Sequence, residues 1–189
     1  RWAGEVAAVI GQTGLRKPVI IAWSYAGRIL LDYIGAHGDG GISGIVMANA
    51  TSKSDPTVLG PAAAFLRDMC DPDPVRSLEA TRGLLAACVA QPLTAAESAF
   101  MLGFNQQVPP SIRQHLRRPA GHYEAVLRAI RVPTLVIHGR RDPINQTAMA
   151  EYTARHVPHA QLRMYDDVAH MPFWEDPRRF DADVAAFLQ

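Results

Sequence analysis

The sequence predicts an α/β domain built on a mostly parallel sheet, and three observations predict it. Short strand-like runs recur at 18–23, 45–48, 134–137 and 162–165, the first two continuously apolar, as expected of strands covered on both faces. Segments with helical periodicity stand between and after them, so strand and helix alternate near both ends of the chain. From Thr51 to about Ile130 strand-like runs disappear, which marks an all-helical insertion rather than a second sheet.

Each element follows in chain order. Trp2, Val6, Val9 and Ile10 keep i, i+4, i+7, i+8 spacing, so the first dozen residues form an amphipathic helix that Gly14 can stop. The run PVIIAW at 18–23 is a strand. Ile29, Leu30, Tyr33 and Ile34 then recur at helical spacing up to a glycine-rich loop at Gly35–Gly41. Ile45–Ala48 is the next strand. In the insertion, prolines at 56, 61, 72, 74, 92, 109, 110 and 119 break alanine-rich patterns into four or five short helices. Thr134–Ile137 is a strand, followed by the turn Gly139–Pro143 and a helix over about Gln146–His156. A strand near Leu162–Tyr165 precedes a last helix carrying Phe180, Val184, Phe187 and Leu188 on one face. The chain thus divides into a core segment 1–50, a helical insertion 51–130 and a second core segment 131–189. Helices on the path between parallel strands are expected to give right-handed crossovers.

Composition bounds the function. The 189 residues suffice for one domain with a real core, and 48% apolar with 20% charged residues is ordinary for a soluble protein. The net charge is +1 and Lys and Arg are dispersed, so nothing argues for a nucleic-acid partner or an anionic membrane. No apolar run approaches the roughly 18 residues of a membrane helix. Cys70 and Cys88 have neither CxxC spacing nor a nearby His pair, so they read as reduced thiols, a cytoplasmic pattern, with no metal site and no cofactor implied.

In parallel α/β sheets, chemistry collects at the carboxyl ends of the strands. Three such ends carry Ser24, Asp142 (in HGRRDP) and His170 (in YDDVAHMPFWEDP). Singly, each has a bland explanation: a turn or cap serine, an Asp-Pro turn, a surface or core histidine. Together they supply a nucleophile, an acid and a base. Asp166 and Asp167 compete for the acid role. His37, His115, His122, His138, His156 and His159 are poorer bases, although His138 also lies at a strand end.

The order Ser…Asp…His, the stretch WSYAG, the segment VPTLVIHGRRDP and the pattern AH…P…EDP together resemble the α/β-hydrolase superfamily, in its serine-esterase and cofactor-free haloperoxidase branches. The resemblance runs along the whole chain and makes the fold the C-terminal part of an α/β-hydrolase, with residues 51–130 as a helical cap. It implies Ser24 as nucleophile, His170 as base and Asp142 as its orienting acid, with the Tyr25 backbone N–H as one oxyanion donor. The family's G-x-S-x-G has Ala22 and Ala26 in place of its glycines. The elbow needs small side chains there, and alanine meets that need, with Gly27 giving the helix room to pack. A serine rather than an aspartate at 24 disfavours a dehalogenase.

The resemblance also implies strands before the nucleophile strand and a loop there that gives the second oxyanion donor. None precedes Arg1, so an upstream segment is expected to complete the sheet, and strand 18–23 is otherwise an exposed apolar edge. The implied substrate is a small, fairly apolar carboxylic ester. Its candidate contacts are Trp23, Phe65, Phe100, Met101 and Phe104, residues that serve equally well to pack the cap. Lactone, C–C and amide hydrolysis, acyl transfer and perhydrolysis share the same triad. A receptor-like ligand-binding protein on this fold, or an inert fragment, is the alternative class.

Overall fold

The computed structural model describes residues 2–117 and 121–189. Four strands, Val19–Trp23 (β1), Gly44–Ala48 (β2), Thr134–Gly139 (β3) and Gln161–Tyr165 (β4), pair in parallel in the order β1-β2-β3-β4. Because every pairing is parallel, all four C-terminal ends line one edge of the sheet. Every residue of β2 and β3 is buried, which is why both carry a central apolar run, Ile45–Ala48 and Leu135–Ile137. The end strands differ. β4 alternates exposed Gln161 and Arg163 with less exposed neighbours, which weakens its sequence signal. β1 stands at the other end of the sheet, with Ile21 51% exposed, as expected of an apolar edge.

Helices cover the sheet. Trp2–Gln12 (α1) packs on Ala26–His37 (α2), the β1–β2 crossover, and Thr147–His156 (α8) is the β3–β4 crossover. Gly14 follows α1 with φ +69°, in the left-handed region that favours glycine. Leu30, Leu31 and Ile34 of α2 join Ala22, Ile45, Met47, Val136 and Ala150 in the main core. The opposite face of the sheet buries Val46, Leu135 and Ile137 against Phe180 and Val184 of the last helix, Pro177–Phe187 (α10). Leu188 departs from the expected face: it lies beyond the end of α10 and is 56% exposed.

Between β2 and β3, two 3₁₀ turns (Pro56–Val58 and Pro61–Ala64) precede Phe65–Asp68 (α3), Pro74–Ala87 (α4), Ala95–Asn105 (α5), Pro110–Leu116 (α6) and Glu124–Ala129 (α7). The prolines act as starts more than breaks: Pro56, Pro61, Pro74 and Pro110 each open an element, where a missing N–H costs nothing. Pro119 lies outside the described residues. Asp73 caps α4, and Thr94 with Glu97 forms a capping box on α5. Buried Arg113 binds this layer from within, donating to Thr81 Oγ1 (2.8 Å) and to the carbonyls of Met69 and Asn105 at the ends of α3 and α5. Among the described residues no helix is long and apolar enough to cross a membrane.

Candidate active site

Ser24 follows β1 directly and has φ +51°, a conformation that residues other than Gly and Asn adopt rarely. The strain costs of the order of 1–3 kcal/mol and is held by neighbours on β2. Ser24 N–H donates to the Ala48 carbonyl (3.2 Å), and the Ser24 carbonyl accepts from Thr51 (2.9 Å) and Gly27 (3.0 Å). The turn is tight because α2 starts at once and lies against the chain leaving β2. A Cβ at Gly27 stands 2.7 Å from the Thr51 carbonyl oxygen and 2.8 Å from Ala50 Cβ, so only glycine fits. Ala22 is fully enclosed, with its methyl packed in the main core. Tyr25 is the N-cap of α2, so its N–H belongs to a helix start, where amides lack intrahelical partners and the dipole is positive.

His170 and Asp142 meet Ser24 from the loops after β4 and β3. Both are buried, whereas Ser24 is part-exposed. His170 Nδ1–H donates to Asp142 Oδ2 (2.7 Å), and Ser24 Oγ–H donates to His170 Nε2 (2.8 Å). This tautomer follows from the partners, since an ionised carboxylate only accepts. Asp142 is held by more than His170. Its Oδ1 accepts the N–H groups of Ile144 (2.8 Å) and Asn145 (3.0 Å), and its Oδ2 also accepts Asn49 Nδ2–H (2.7 Å). Burial alone pushes the Asp142 carboxyl up. The hydrogen bond and charge of His170, the Asn49 amide and nearby His138 outweigh it and hold the group below the usual carboxylate range.

The histidine loop is fastened on several sides. His170 N–H donates to the Cys88 carbonyl (3.0 Å), just past α4, and the Trp23 indole N–H donates to the His170 carbonyl (2.8 Å). Glu175, at the end of the short helix Pro172–Glu175 (α9), accepts from Ala169 N–H (2.8 Å) and Met171 N–H (3.4 Å) with one oxygen and from Ala90 N–H (2.5 Å) with the other. Gly139, ending β3, lets that strand approach the carbonyls of Val168 and Ala169 so closely that any Cβ collides with them.

The structure therefore brings Ser24, Asp142 and His170 into one hydrogen-bonded chain and leaves their rivals outside it. Asp166 is exposed and paired with Arg140 (2.7 Å), and Asp167 is exposed. His138 is buried 3.7 Å from Asp142 Oδ2, but its Nε2 is committed to the Asn145 carbonyl (2.9 Å), and burial lowers its pKa. His37, His115, His122 and His159 are exposed, and His156 packs on Tyr152.

The five apolar candidates separate. Trp23 sits beside His170, with ring centroids 5.5 Å apart, and meets Phe173 edge-on. Phe65 and Met101 belong to an apolar cluster joining the helical layer to Ile144 and Met171 on the acid and histidine loops. Phe100 and Phe104 are 69% and 51% exposed and meet each other edge-on along the outer face of α5, while Met101 and Leu102 are the α5 side chains that turn inward. Among the described residues no three His, Cys, Asp or Glu side chains converge to hold a metal ion.

Asn49, which directly follows β2, is not among the residues the sequence singles out, although it obeys the same strand-end rule as the other three. The apolar run IVMA followed by a polar residue was its only signal.

A family model described as the alpha/beta hydrolase fold matches residues 3–177. The chain belongs to the α/β-hydrolase family. The crystal structure of an esterase from Rhodococcus sp. ECU1013 superposes with a TM-score of 0.91 at 28% identity, over 98% of this chain and 70% of that one. A non-heme haloperoxidase of Rhodococcus erythropolis is 26% identical over 100% of this chain and 73% of its own length. A pimeloyl-[acyl-carrier protein] methyl ester esterase of Aromatoleum aromaticum is 27% identical over 84% and 69% of the two chains.

Proposed function

We propose that this α/β-hydrolase cleaves small, fairly apolar carboxylic esters through an acyl-enzyme on Ser24. The observation that carries the reading is the unbroken relay Ser24 Oγ–His170 Nε2 and His170 Nδ1–Asp142 Oδ2, at 2.8 and 2.7 Å, on a serine held at positive φ. The esterase names of two relatives agree with it.

In the reaction, Ser24 Oγ attacks the ester carbonyl carbon while His170 Nε2 takes the hydroxyl proton. Asp142, kept ionised, holds Nδ1–H and stabilises the imidazolium that forms. The Tyr25 N–H at the start of α2 donates to the developing oxyanion, where the helix dipole also favours negative charge. The imidazolium returns the proton to the leaving alkoxide. Water, deprotonated by the same histidine, then hydrolyses the acyl-serine and restores the hydroxyl. Trp23, adjoining both Ser24 and His170, walls the acyl side, with Phe65 and Met101 behind it. The helical segment 51–130 acts as the cap.

The test is labelling with a fluorophosphonate followed by peptide mass spectrometry, beside turnover of aryl esters. A single adduct on Ser24, with turnover lost in Ser24→Ala, is the expected result. Labelling elsewhere, or turnover that survives Ser24→Ala, overturns the assignment.

A further inference from the structure

The segment after each parallel strand brings a polar residue to this site, and Asn49 is the one the relay leaves unaccounted for. Its side chain is wholly buried. One amide hydrogen goes to Asp142 Oδ2 (2.7 Å), the oxygen that also accepts His170 Nδ1–H, and the other goes to the carbonyl of Ala169 (2.9 Å), the residue before His170. Its backbone is fixed as well: Asn49 N–H donates to the Ile137 carbonyl (2.9 Å), and Asn145 Nδ2 donates to the Asn49 carbonyl (2.8 Å). Asn49 thus ties the end of β2 to the acid loop and the histidine loop at once.

Two costs argue that the side chain is kept for its donors. Asn49 Oδ1 is buried with no hydrogen-bond partner among the described residues, and an apolar or smaller residue avoids that penalty. The backbone sits at φ +43°, which asparagine tolerates better than other non-glycine residues, but glycine better still. A site that needed only filling or bending has cheaper solutions. Two N–H donors diverging from one buried point, toward a carboxylate and a carbonyl, are what an asparagine amide supplies.

We propose that Asn49 is a positioning residue for catalysis: through its amide it aims the Asp142 carboxylate at His170 and fixes the histidine loop to the same point. This rests on the catalytic reading of Ser24, Asp142 and His170. The group that Asn49 faces from β3 and its loop is Asp142, with His138 behind it, and from the β4 loop it faces His170 by way of Ala169. Removing the amide takes away the second hydrogen bond on the oxygen that faces His170, leaving Ile144 and Asn145 to hold the carboxylate by its other oxygen alone. Replacing it by a carboxylate sets two acids against one imidazole, so the imidazolium persists to higher pH.

The experiment measures kcat, KM and the pH profile of aryl-ester hydrolysis, with thermal unfolding alongside, for Asn49→Gly, Asn49→Asp and Asp142→Asn and for Asn49→Gly combined with Asp142→Asn. Asn49→Gly, which relieves the backbone, is expected to lower kcat about 10- to 100-fold with KM little changed. Asn49→Asp is expected to move the acid limb of the kcat/KM profile up by about one pH unit or more. Once Asp142→Asn has removed the carboxylate, Asn49→Gly is expected to cost much less than it does alone, the remainder being the bond to the Ala169 carbonyl, since residues acting as a unit are not additive. An equal loss from Asn49→Gly in both backgrounds overturns the proposal, as does an acid limb that stays in place in Asn49→Asp. Failure of both single variants to fold also overturns it, by giving Asn49 a structural role. If turnover survives Ser24→Ala, the catalytic reading itself fails, a result separable from all of these.

Discussion

Replacing Glu175 by Gln tests how the helical layer and the histidine loop hold together. The Glu175 carboxylate takes Ala169 N–H on one oxygen (2.8 Å) and Ala90 N–H on the other (2.5 Å), with Met171 N–H as a longer third contact. Ala169 and Met171 flank His170, and Ala90 follows the end of α4, so one carboxylate spans the two. Each charge-assisted bond contributes about 1.5–3 kcal/mol, about 3–6 kcal/mol for the two good ones. Glu175 is only partly buried, so water replaces some of this and about 2–4 kcal/mol is the better figure. Glutamine keeps one acceptor and turns an NH₂ toward the other donor, so about half is lost, 1–2 kcal/mol. In a domain of this size that is a fall in Tm of roughly 2–8 °C. Calorimetry reads the Tm, and amide hydrogen exchange reads Ala90 and Ala169 individually. Both amides are expected to exchange faster in Glu175→Gln, with kcat for ester hydrolysis reduced because the loop carrying His170 loosens. An unchanged Tm, or faster exchange at Ala169 with none at Ala90, refutes the bridge.

Three further outcomes follow from the same geometry. Gly27→Val forces side-chain atoms into Thr51 and Ala50, where even a Cβ comes within 2.7 Å of the carbonyl, and is expected to cost at least about 1–3 kcal/mol, read by urea unfolding. Stability is expected to fall with acid in two stages, because His138 and Asp142 both have lowered folded pKa values. A lowered folded pKa means the unfolded chain binds more protons, so stability declines from about pH 6.5 downward for His138 and from about pH 4 downward for Asp142; His138→Gln, able to keep a bond to the Asn145 carbonyl, is expected to remove the first stage in a pH series of unfolding curves. Phe100→Ser with Phe104→Ser is expected to leave kcat/KM within about twofold, since surface changes away from such features are small in effect; a tenfold loss in ester turnover contradicts their placement on the outer face.

Legibility in the sequence tracked how much each position's surroundings constrain it. β2 and β3 are enclosed on both faces, so the runs Ile45–Ala48 and Leu135–Ile137 are apolar and stand out, and the polar Thr134 and His138 lie toward the two ends of β3. β4 is an end strand with Gln161 and Arg163 exposed, and its signal is correspondingly faint. Ser24, Asp142 and His170 were legible because three strand ends in one chain order make a pattern that no single residue does. The orientation of α5 was not legible. AAESAFMLGFN is apolar nearly all round, so which face turns inward is decided by the neighbouring helices, and Met101 rather than the phenylalanines fills the space beside α4. The sequence offers Trp23 only as a candidate substrate contact, yet its indole N–H is what ties it to His170. Such a bond joins residues 147 positions apart, and nothing local in the sequence encodes it.

The same distinction explains how the elbow works without its first glycine. The steric demand in this turn falls on Gly27, whose Cα faces the backbone of Thr51, and not on Ala22, whose methyl is accommodated inside the core. Ser24 is held at φ +51° because its carbonyl is pinned by Thr51 and its N–H by Ala48, both from the chain at the end of β2. Asn49 lies between those two partners and reaches across to Asp142. The end of β2 therefore fixes the serine through Ala48 and Thr51 and contacts the carboxylate through Asn49, within four consecutive residues. A shift of that short segment moves the serine's backbone supports and the acid's side-chain partner together, so the distances of the relay depend on β2 keeping its register between β1 and β3.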